Sequence, residues 1–446
     1  MKNKMRVSCL LILLLAVASL PAQTTREEVL KDANRMLANY CPYEGSNHFT
    51  PVPEGYEPFY VTHYARHGSR HLISNHAYHQ LIPLMEKAEK ENQLTKLGKT
   101  MLKRARTAYA FAKGKSGQLT RLGGQQHEKT ANRLYNNYPL MFKEGNRVTA
   151  YSSPVDRSRL SMEHFCAELQ KLSQGLQIVQ SCGDECTYFV RPGRDSIAAP
   201  AKSSVRDQAE KMEDSLKACV NISAKIFKDP GFVTRNKKKH SSIAGYFYEL
   251  YKSMPHMPEL GLDFNVFDDD QLFTYFKANN INWMERTYVI PGEPPFYKRA
   301  YATLRNMISL ADEAIRQNAG GATLRFGHDT FLFPLAYVMG VDGCTGFPAQ
   351  PSEWEDSYRY FVAGDIVPMA ANIQIIFFKS RKDNDILVKV LLQEKEKHIP
   401  VKTDMWPYYH WDDVRAYYLD LMNNVSPIEY VKPHKAAKKD ENEINT

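Results

Sequence analysis

The sequence predicts an α/β core, with helices on both faces of a sheet, into which a mostly α-helical cap is inserted. Short apolar runs at 59–62, 148–151 and 322–326 each end in a polar turn and are followed by a helical pattern. This strand–turn–helix order is typical of an α/β sheet. Between Ser181 and about Pro295 the strand patterns disappear and helical patterns dominate. A length of 446 residues suits a core domain with such an insertion.

The two termini are predicted to lie outside the folded core. Lys2, Lys4 and Arg6 precede a short apolar run, and Ala22 offers a cleavage point, as in a secretory signal peptide. The run is too short to span a bilayer. We therefore expect a secreted or periplasmic protein with no integral membrane segment in the mature chain. The predicted divisions are a signal peptide (1–22), the first part of the core (23–180), the cap (181–295), the second part of the core (296–432) and a disordered charged tail (433–446).

Hydrophobic periodicity and end signals justify the elements in chain order. In the first helix, Val29, Ala33, Met36 and Leu37 share one face, and Thr120 is placed to cap a later helix. Helices are predicted at Thr25–Cys41, Asn75–Glu91, Thr95–Ala112, Thr120–Asn137, Ser158–Leu172, Val205–Ile226, Ser241–Tyr251, Asp270–Asn279, Tyr297–Asn318, Thr330–Val338 and Trp411–Leu421. Besides the three strands above, strands are predicted at Ile373–Phe378 and Ile386–Leu392.

Charge and cysteine content limit the partners. Three of the positive charges in the formal net charge of +8 belong to the signal peptide. The remaining excess is compatible with an anionic substrate and too diffuse to indicate nucleic acid. Six cysteines follow the signal peptide, an even number that permits disulfides in an oxidising compartment. Cys182 and Cys186 could close a small loop. The sequence does not indicate the oligomeric state.

The strongest functional signal is the stretch Phe59–Arg70, FYVTHYARHGSR. Gly68 permits a sharp turn, so the strand can present Arg66, His67 and Arg70 at its carboxyl end, where ligands bind in open α/β sheets. Two guanidinium groups can grip a tetrahedral dianion through bidentate hydrogen bonds. The imidazole between them is then free to attack phosphorus.

Two further strand ends deliver polar groups in the same chain order. Arg157 follows the strand at 148–151, and His328 and Asp329 follow the strand at 322–326. Alone, Arg157 would be a surface arginine and Asp329 a residue favoured at a helix N-terminus. Together with Arg66–Arg70 they form a site for phosphoryl transfer. The arginines and His328 stabilise the phosphoryl group, and a protonated Asp329 protonates the leaving alkoxide and then activates water.

Two other kinds of site are weaker interpretations. His63, His67 and His71 have a spacing that could bind a metal ion on a helix. The β-branched pair at 61–62 and Gly68 argue against a helix there, so we predict neither a metal site nor a cofactor. A serine hydrolase is poorly supported because the sequence contains no Gly-x-Ser-x-Gly elbow.

With these residues in view, the chain from about Pro58 to Pro400 resembles the histidine phosphatase superfamily, whose signature is RHGxR. Within it, the chain is similar to histidine acid phosphatases of the phytase and multiple inositol polyphosphate phosphatase branch. The resemblance rests on RHGSR (66–70), QLTRLG (118–123), residues 152–162, FGHDT (326–330) with Pro334-Leu335, VPMAAN (367–372) and LLQEK (391–395). Two departures stand out. His71-Leu72 replaces the usual x-Pro of the acid phosphatases, and His328-Asp329-Thr330 replaces the His-Ala-Glu of inositol polyphosphate phosphatases.

The resemblance implies a phosphoglycerate-mutase-like core and a metal-independent phosphomonoester hydrolase that forms a phosphohistidine. It implies His67 as nucleophile, Asp329 as proton donor, and Arg66, Arg70, Arg157 and His328 as ligands of the substrate phosphate. The expected substrates are small phosphate esters, namely inositol polyphosphates such as phytate. A broad-specificity or sugar-phosphate acid phosphatase is the alternative. A catalytically idle protein that binds phosphorylated ligands is the non-enzyme alternative, which replacement of His67 or Asp329 would have favoured.

Overall fold

The computed structural model describes residues 24–43, 45–46, 48–192, 203–287, 289–292 and 295–423. The predicted signal peptide and charged tail lie outside these residues. The strands described are β1 (Tyr56–Arg66), β2 (Arg147–Ser152), β3 (Gln177–Ser181), β4 (Gly321–Gly327), β5 (Asn372–Ser380), β6 (Ile386–Leu392), β7 (Lys395–Glu396) and β8 (Tyr408–His410). The helices described are α1 (Arg26–Leu30), α2 (His76–Lys90), α3 (Lys96–Ala112), α4 (Arg121–Asn137), α5 (Asp156–Leu172), α6 (Asp184–Val190), α7 (Ser204–Ala218), α8 (Ser223–Ile226), α9 (Gly231–Arg235), α10 (His240–Ser253), α11 (Asp269–Thr287), α12 (Tyr301–Arg316), α13 (Asp329–Val338), α14 (Ala363–Ile366) and α15 (Trp411–Asn423).

The strands form one mixed sheet in the order β3-β2-β4-β1-β5-β6-β7, with β8 paired to β6. Strands β3, β2, β4 and β1 run parallel to one another. Strand β5 runs antiparallel to β1, and β6 runs antiparallel to β5. Because β2, β4 and β1 are adjacent and parallel, their carboxyl ends meet at one edge of the sheet. The three motifs predicted at strand ends therefore lie side by side.

Helices cover both faces of the sheet, as predicted. On β1, Val61 and Ala65 point to one face and pack with the apolar sides of α4 and α5. Tyr60 and Tyr64 alternate with them and pack on the other face with α12 and α13. Successive side chains of a strand point to opposite faces, and a strand buried on both faces is largely apolar. This explains the apolar run that opens the stretch Phe59–Arg70.

A helical layer packs around a separate apolar core. It consists of α2, α3, α8, α9, α10 and the first half of α11, whose buried side chains form one cluster. Helices α2 and α3 precede the predicted cap in the chain, so this layer is built from two separate stretches of sequence. Helix α6 lies against the sheet and α12 instead. Tyr64 of β1 donates a hydrogen bond to Val190 O (2.7 Å), and Thr303 of α12 donates one to Phe189 O (2.7 Å). The predicted cap bounds of 181–295 stay a prediction.

Two predicted helices are interrupted at hydrogen-bonded turns. The expected helix at Thr25–Cys41 is wrong: α1 ends at Leu30, and a 3-10 segment at Arg35–Tyr40 follows. There Asp32 Oδ1 accepts a hydrogen bond from the Asn34 amide (3.0 Å). The expected helix at Val205–Ile226 likewise splits into α7 and α8, and Asn221 Oδ1 accepts from the Ser223 amide (2.9 Å). Short polar side chains that bond their own backbone compete with helix formation.

The remaining predicted elements fall close to their observed positions. Strand β1 is longer than the four residues expected, and α12 begins at Tyr301 after a 3-10 segment at Phe296–Ala300. Strands β3, β7 and β8 are short and were not predicted. Cys182 and Cys186 are free thiols in the structure, so they do not close the loop between them. Among the described residues, no helix combines the length and apolar character needed to cross a bilayer.

Candidate active site

The loop after β1 lies directly on the start of α4. A Cβ added to Gly68 would come within 2.3 Å of Gly123 O, and one added to Gly123 within 2.2 Å of Ser69 O. Only glycine fits at either position, because these contacts are between backbone atoms. Thr120 fixes the arrangement, since its amide and hydroxyl both donate to Ser69 O (2.9 and 3.1 Å) while its hydroxyl caps α4. The QLTRLG motif therefore positions the RHGSR loop.

His67 is the buried centre of this loop, with 2% of its surface exposed. Its Nδ1 lies 2.9 Å from Gly68 O. A carbonyl can only accept, so Nδ1 carries the proton of the neutral ring, and Nε2 keeps a free lone pair. Burial, followed by the charges of Arg66, Arg157 and Arg70, holds the pKa of His67 well below its usual range. The ring is therefore uncharged and carries a lone pair on Nε2.

Arg66 is fully buried and is held on three sides. Its Nη1 donates to Asn39 O (2.5 Å) and to Val367 O (2.7 Å), and its Nη2 lies 2.8 Å from Asp329 Oδ2. Burial lowers the pKa of Arg66 to about 10, with Asp329 acting in the opposite direction. The guanidinium remains charged at neutral pH.

Arg70 and Arg157 retain unused hydrogen-bonding capacity. Arg70 Nη1 donates to the Tyr40 hydroxyl (2.9 Å) and to His71 O (3.0 Å), and its guanidinium lies 5.0 Å from the centre of the Tyr40 ring. The Nε atoms of both arginines are buried without a hydrogen-bond partner among the described residues. A buried donor without an acceptor is costly, so these two arginines are suited to an anionic ligand.

His328 and Asp329 lie where β4 passes into α13. The His328 ring centre is 5.6 Å from that of His67, and its Nε2 is 3.1 Å from Ser153 Oγ. Burial, and then Arg157, lowers the pKa of His328 to about 3, so this ring is also neutral. Burial acts to raise the pKa of Asp329. Arg66 and a hydrogen bond from Asn39 outweigh it and hold that pKa well below its usual range. Without substrate, Asp329 is a carboxylate.

A cleft of about 720 Å³ lies between these groups and side chains of α7, α10 and α11. Of the six predicted site residues, His67, Arg70, Arg157, His328 and Asp329 line it, whereas Arg66 lies behind it. The structure adds residues that the sequence did not single out, namely Asn39, Tyr40, Lys217, Lys252 and Arg286. Cations on amphipathic helices read as solvated faces, so no sequence signal distinguished the last three.

The histidine stripe considered for a metal ion does not converge. His63 lies in β1 and packs between Phe165 and Phe326, whereas His71 packs against Phe111. Of the three rings, only that of His67 lines the cleft. In the described part of the chain, no group of three or more His, Cys, Asp or Glu side chains is arranged to hold a metal ion.

Fold and site together define an α/β protein with a cationic, histidine-containing cleft at the carboxyl edge of its sheet. Residues 60–393 match the Histidine phosphatase superfamily (branch 2), and the chain belongs to this family. No curated protein matches the chain.

Several solved structures share the fold. The apo form of Bifidobacterium longum multiple inositol polyphosphate phosphatase has a TM-score of 0.70 at 20% identity, covering 86% of this chain and 97% of that one. The same phosphatase in complex with inositol hexasulfate has a TM-score of 0.68, with the same identity and coverage. The phytase from D. castellii has a TM-score of 0.64 at 14% identity, covering 87% of this chain and 85% of that one. These likenesses confirm the predicted fold class.

Proposed function

We propose that this protein is a phosphomonoester hydrolase that forms a phosphohistidine on His67. The observation that carries the proposal is the state of the His67 ring. It is buried and neutral, and its Nδ1 is committed to Gly68 O, so that Nε2 is free at the base of the cleft. Attack by Nε2 forms a nitrogen–phosphorus bond and releases the alcohol, and water then hydrolyses the phosphohistidine.

The positive charge that the transferring phosphoryl group requires is assigned to this chain's own side chains. Arg66, Arg70 and Arg157 surround His67, and among the described residues the buried Nε of each has no hydrogen-bond partner. When His328 Nε2 accepts from the Ser153 hydroxyl, the Nδ1–H of the neutral ring is one more donor. Preorganised donors of this kind stabilise developing charge strongly in a site that excludes water. We therefore assign no role to a metal ion.

Asp329 is assigned as the acid that protonates the leaving oxygen, and its ion pair defines when it gains the proton. Arg66 keeps it ionised in the free protein. A phosphate dianion bound by the same guanidinium shares that charge and brings negative charge close to the carboxylate. Both effects raise the pKa of Asp329. The acid is thus loaded with its proton in the substrate complex.

The preferred substrates are inositol polyphosphates such as phytate. The cleft is large, and Lys217, Lys252 and Arg286 bring additional cations from α7, α10 and α11, which suits a ligand with several phosphates. The Bifidobacterium longum relative in complex with inositol hexasulfate supports this class. A broad or sugar-phosphate specificity is the second candidate. Lys252 pairs with Glu249 (2.6 Å) and Lys217 with Glu213, which reduces the net charge of the cleft.

We also propose that the mature protein is secreted or periplasmic.

The substrate class is tested by release of phosphate from phytate, glucose 1-phosphate and p-nitrophenyl phosphate at acid pH. We expect kcat/KM to be highest for phytate. A preference for glucose 1-phosphate would support the second candidate. Phosphate release from none of the three, combined with binding of inorganic phosphate, would support the non-catalytic alternative.

The nucleophile is tested with His67→Ala, which should bind phosphate but show no turnover. Rapid acid-free quenching of wild type with labelled substrate should trap phosphate on the protein in an acid-labile form. Activity should also persist in a strong chelator. Residual turnover in a folded His67→Ala protein would contradict the mechanism, as would loss of wild-type activity on chelation with recovery on adding a metal ion.

A further inference from the structure

The segment at 35–41 reaches the candidate active site from the N-terminal side of β1. Asn39 Nδ2 donates to Asp329 Oδ2 (3.0 Å), and Asn39 O accepts from Arg66 Nη1 (2.5 Å). One residue thus contacts both members of the Arg66–Asp329 ion pair. Asp329 Oδ1 accepts from the Thr330 amide (2.9 Å). Each carboxylate oxygen therefore accepts from a neutral donor, and Oδ2 also contacts Arg66.

The backbone is arranged to hold Asn39 in this position. Ala38, immediately before it, has φ +48° and ψ −122°, a conformation that side chains with a Cβ rarely adopt. Strained residues persist only where their surroundings hold them, and they cluster at functional sites. Here Arg35 forms two hydrogen bonds with Asp365 (3.1 and 2.6 Å), and Cys41 O accepts from the Met369 amide (2.9 Å). The segment is therefore fixed on both sides of Asn39.

Resting on the proposed function, we propose that Asn39 is a positioning residue that orients Asp329 for transfer of its proton to the leaving oxygen of the substrate. A bound phosphate competes with Asp329 for the guanidinium of Arg66, whereas the neutral amide of Asn39 keeps its hydrogen bond to Oδ2. The carboxyl group therefore cannot turn away when its charged partner is shared. A donor to the carboxylate also favours the charged form, so loss of the amide raises the pKa of Asp329.

Other groups around Asp329 set the background for this effect and are unchanged in an Asn39 variant. The charged and titratable groups that face Asp329 come from several elements: Arg66 and Tyr64 from β1, Arg70 from the loop after β1, Arg157 from α5, Arg286 from α11, and His328, which precedes Asp329 in the chain. His67 lines the same cleft. A shift in the pH profile of an Asn39 variant then reports the lost amide.

The test compares Asn39→Ala with wild type on phytate and on p-nitrophenyl phosphate. Inositol oxygens need a proton to leave, whereas p-nitrophenolate does not. We expect kcat on phytate to fall by about tenfold to a hundredfold, the value of a hydrogen bond to a charged group, and kcat on p-nitrophenyl phosphate to fall by less than about threefold. The alkaline limb of the phytate profile should move to higher pH, because the acid keeps its proton longer. The matched control is Asn34→Ala, which changes an exposed residue directly before this segment whose side chain makes no capping hydrogen bond. This variant should match wild type.

Asn39→Asp is the second variant, because it keeps the shape of the side chain if Asn39→Ala fails to fold. Its negative charge should move the alkaline limb to higher pH. Equal losses on both substrates, an unmoved limb in both variants, or a change in KM alone would overturn the proposal. Asp329→Asn distinguishes a failure of the role of Asn39 from a failure of Asp329 as the acid. If that variant shows the selective loss on phytate and the Asn39 variants do not, only the role of Asn39 fails. If Asp329→Asn itself shows equal losses, the proposed acid fails.

Discussion

Arg157 and Arg159 provide a matched pair for testing phosphate binding. They are two residues apart on the first turns of α5, but they point in different directions. Arg157 lines the cleft, and its Nε is buried without a hydrogen-bond partner in the described part of the chain. Arg159 points away, bonding Asp156 (3.2 Å) and Glu163 (2.6 Å) at the surface. Replacing each by alanine removes the same chemical group from two different environments.

The expected size of the effect follows from these environments. Truncating one partner of a buried, hydrogen-bonded charge pair costs about 2–5 kcal/mol. Arg157 is half-buried, so we place it in the lower half of that range, at about 2–3 kcal/mol. With about 1.36 kcal/mol per factor of ten in rate, Arg157→Ala should lower kcat/KM roughly 30- to 150-fold. Arg159→Ala should leave kcat/KM close to the wild-type value, because its exposed ion pairs do not reach the cleft.

The assay is initial-rate phosphate release at fixed pH and ionic strength, together with thermal unfolding of each variant. Product inhibition by inorganic phosphate should weaken in Arg157→Ala and not in Arg159→Ala. An Arg157→Ala protein with the unfolding temperature of wild type and kcat/KM within about threefold of it would refute the assignment. A larger loss for Arg159→Ala than for Arg157→Ala would show that the start of α5 is rotated relative to the structure described.

Two further predictions concern the acid and the loop. Asp329→Asn keeps the shape of the side chain but cannot donate a carboxylic proton. It should therefore slow phytate hydrolysis far more than p-nitrophenyl phosphate hydrolysis, and similar losses on the two substrates would exclude this acid. Wild-type activity on phytate should fall as pH rises, because Asp329 then ionises in the substrate complex. Gly68→Ala should nearly abolish activity while retaining the helical content seen by circular dichroism, because its Cβ would meet Gly123 O at 2.3 Å; wild-type rates in that variant would show that the loop does not rest on α4 as described.

The core and most of the site could be predicted because their signals are local. The stretch at 59–70, Arg157 and His328-Asp329 each follow an apolar strand in the sequence. The parallel pairing of β2, β4 and β1 then brings these motifs to one edge. Short-range periodicity and turn residues are sufficient for this inference. The N-cap Thr120 was found in the same way, since its position before a periodic segment is itself the signal.

Features that depend on distant parts of the chain could not be predicted. Asn39 lies inside the stretch Thr25–Cys41 that was predicted as one helix, and its partner Asp329 is far away in the sequence, so nothing local marks it. Lys252 lies three residues after Glu249 on α10, which is the pattern of an ordinary solvated helix face. The sequence predicts that Asp329 is protonated in the catalytic form. It could not reveal that Arg66 lies 2.8 Å from the carboxylate and keeps it ionised without substrate. Distances across the sheet edge decide that protonation state.

The division of the helical layer between two stretches of sequence limits how this protein can be recombined with its relatives. Helices α2 and α3 lie between the loop that carries His67 and α4, yet their apolar faces are buried by α8, α9 and α10. Transplanting residues 181–295 from another member of the family would replace only one half of that core and leave the other half facing foreign side chains. A chimera that changes the helices lining the cleft should therefore exchange the segment at 72–117 together with the helices at 181–295. The loop that carries His67 is joined directly to the first of these segments, so an exchange of the helices that line the cleft also affects the placement of His67.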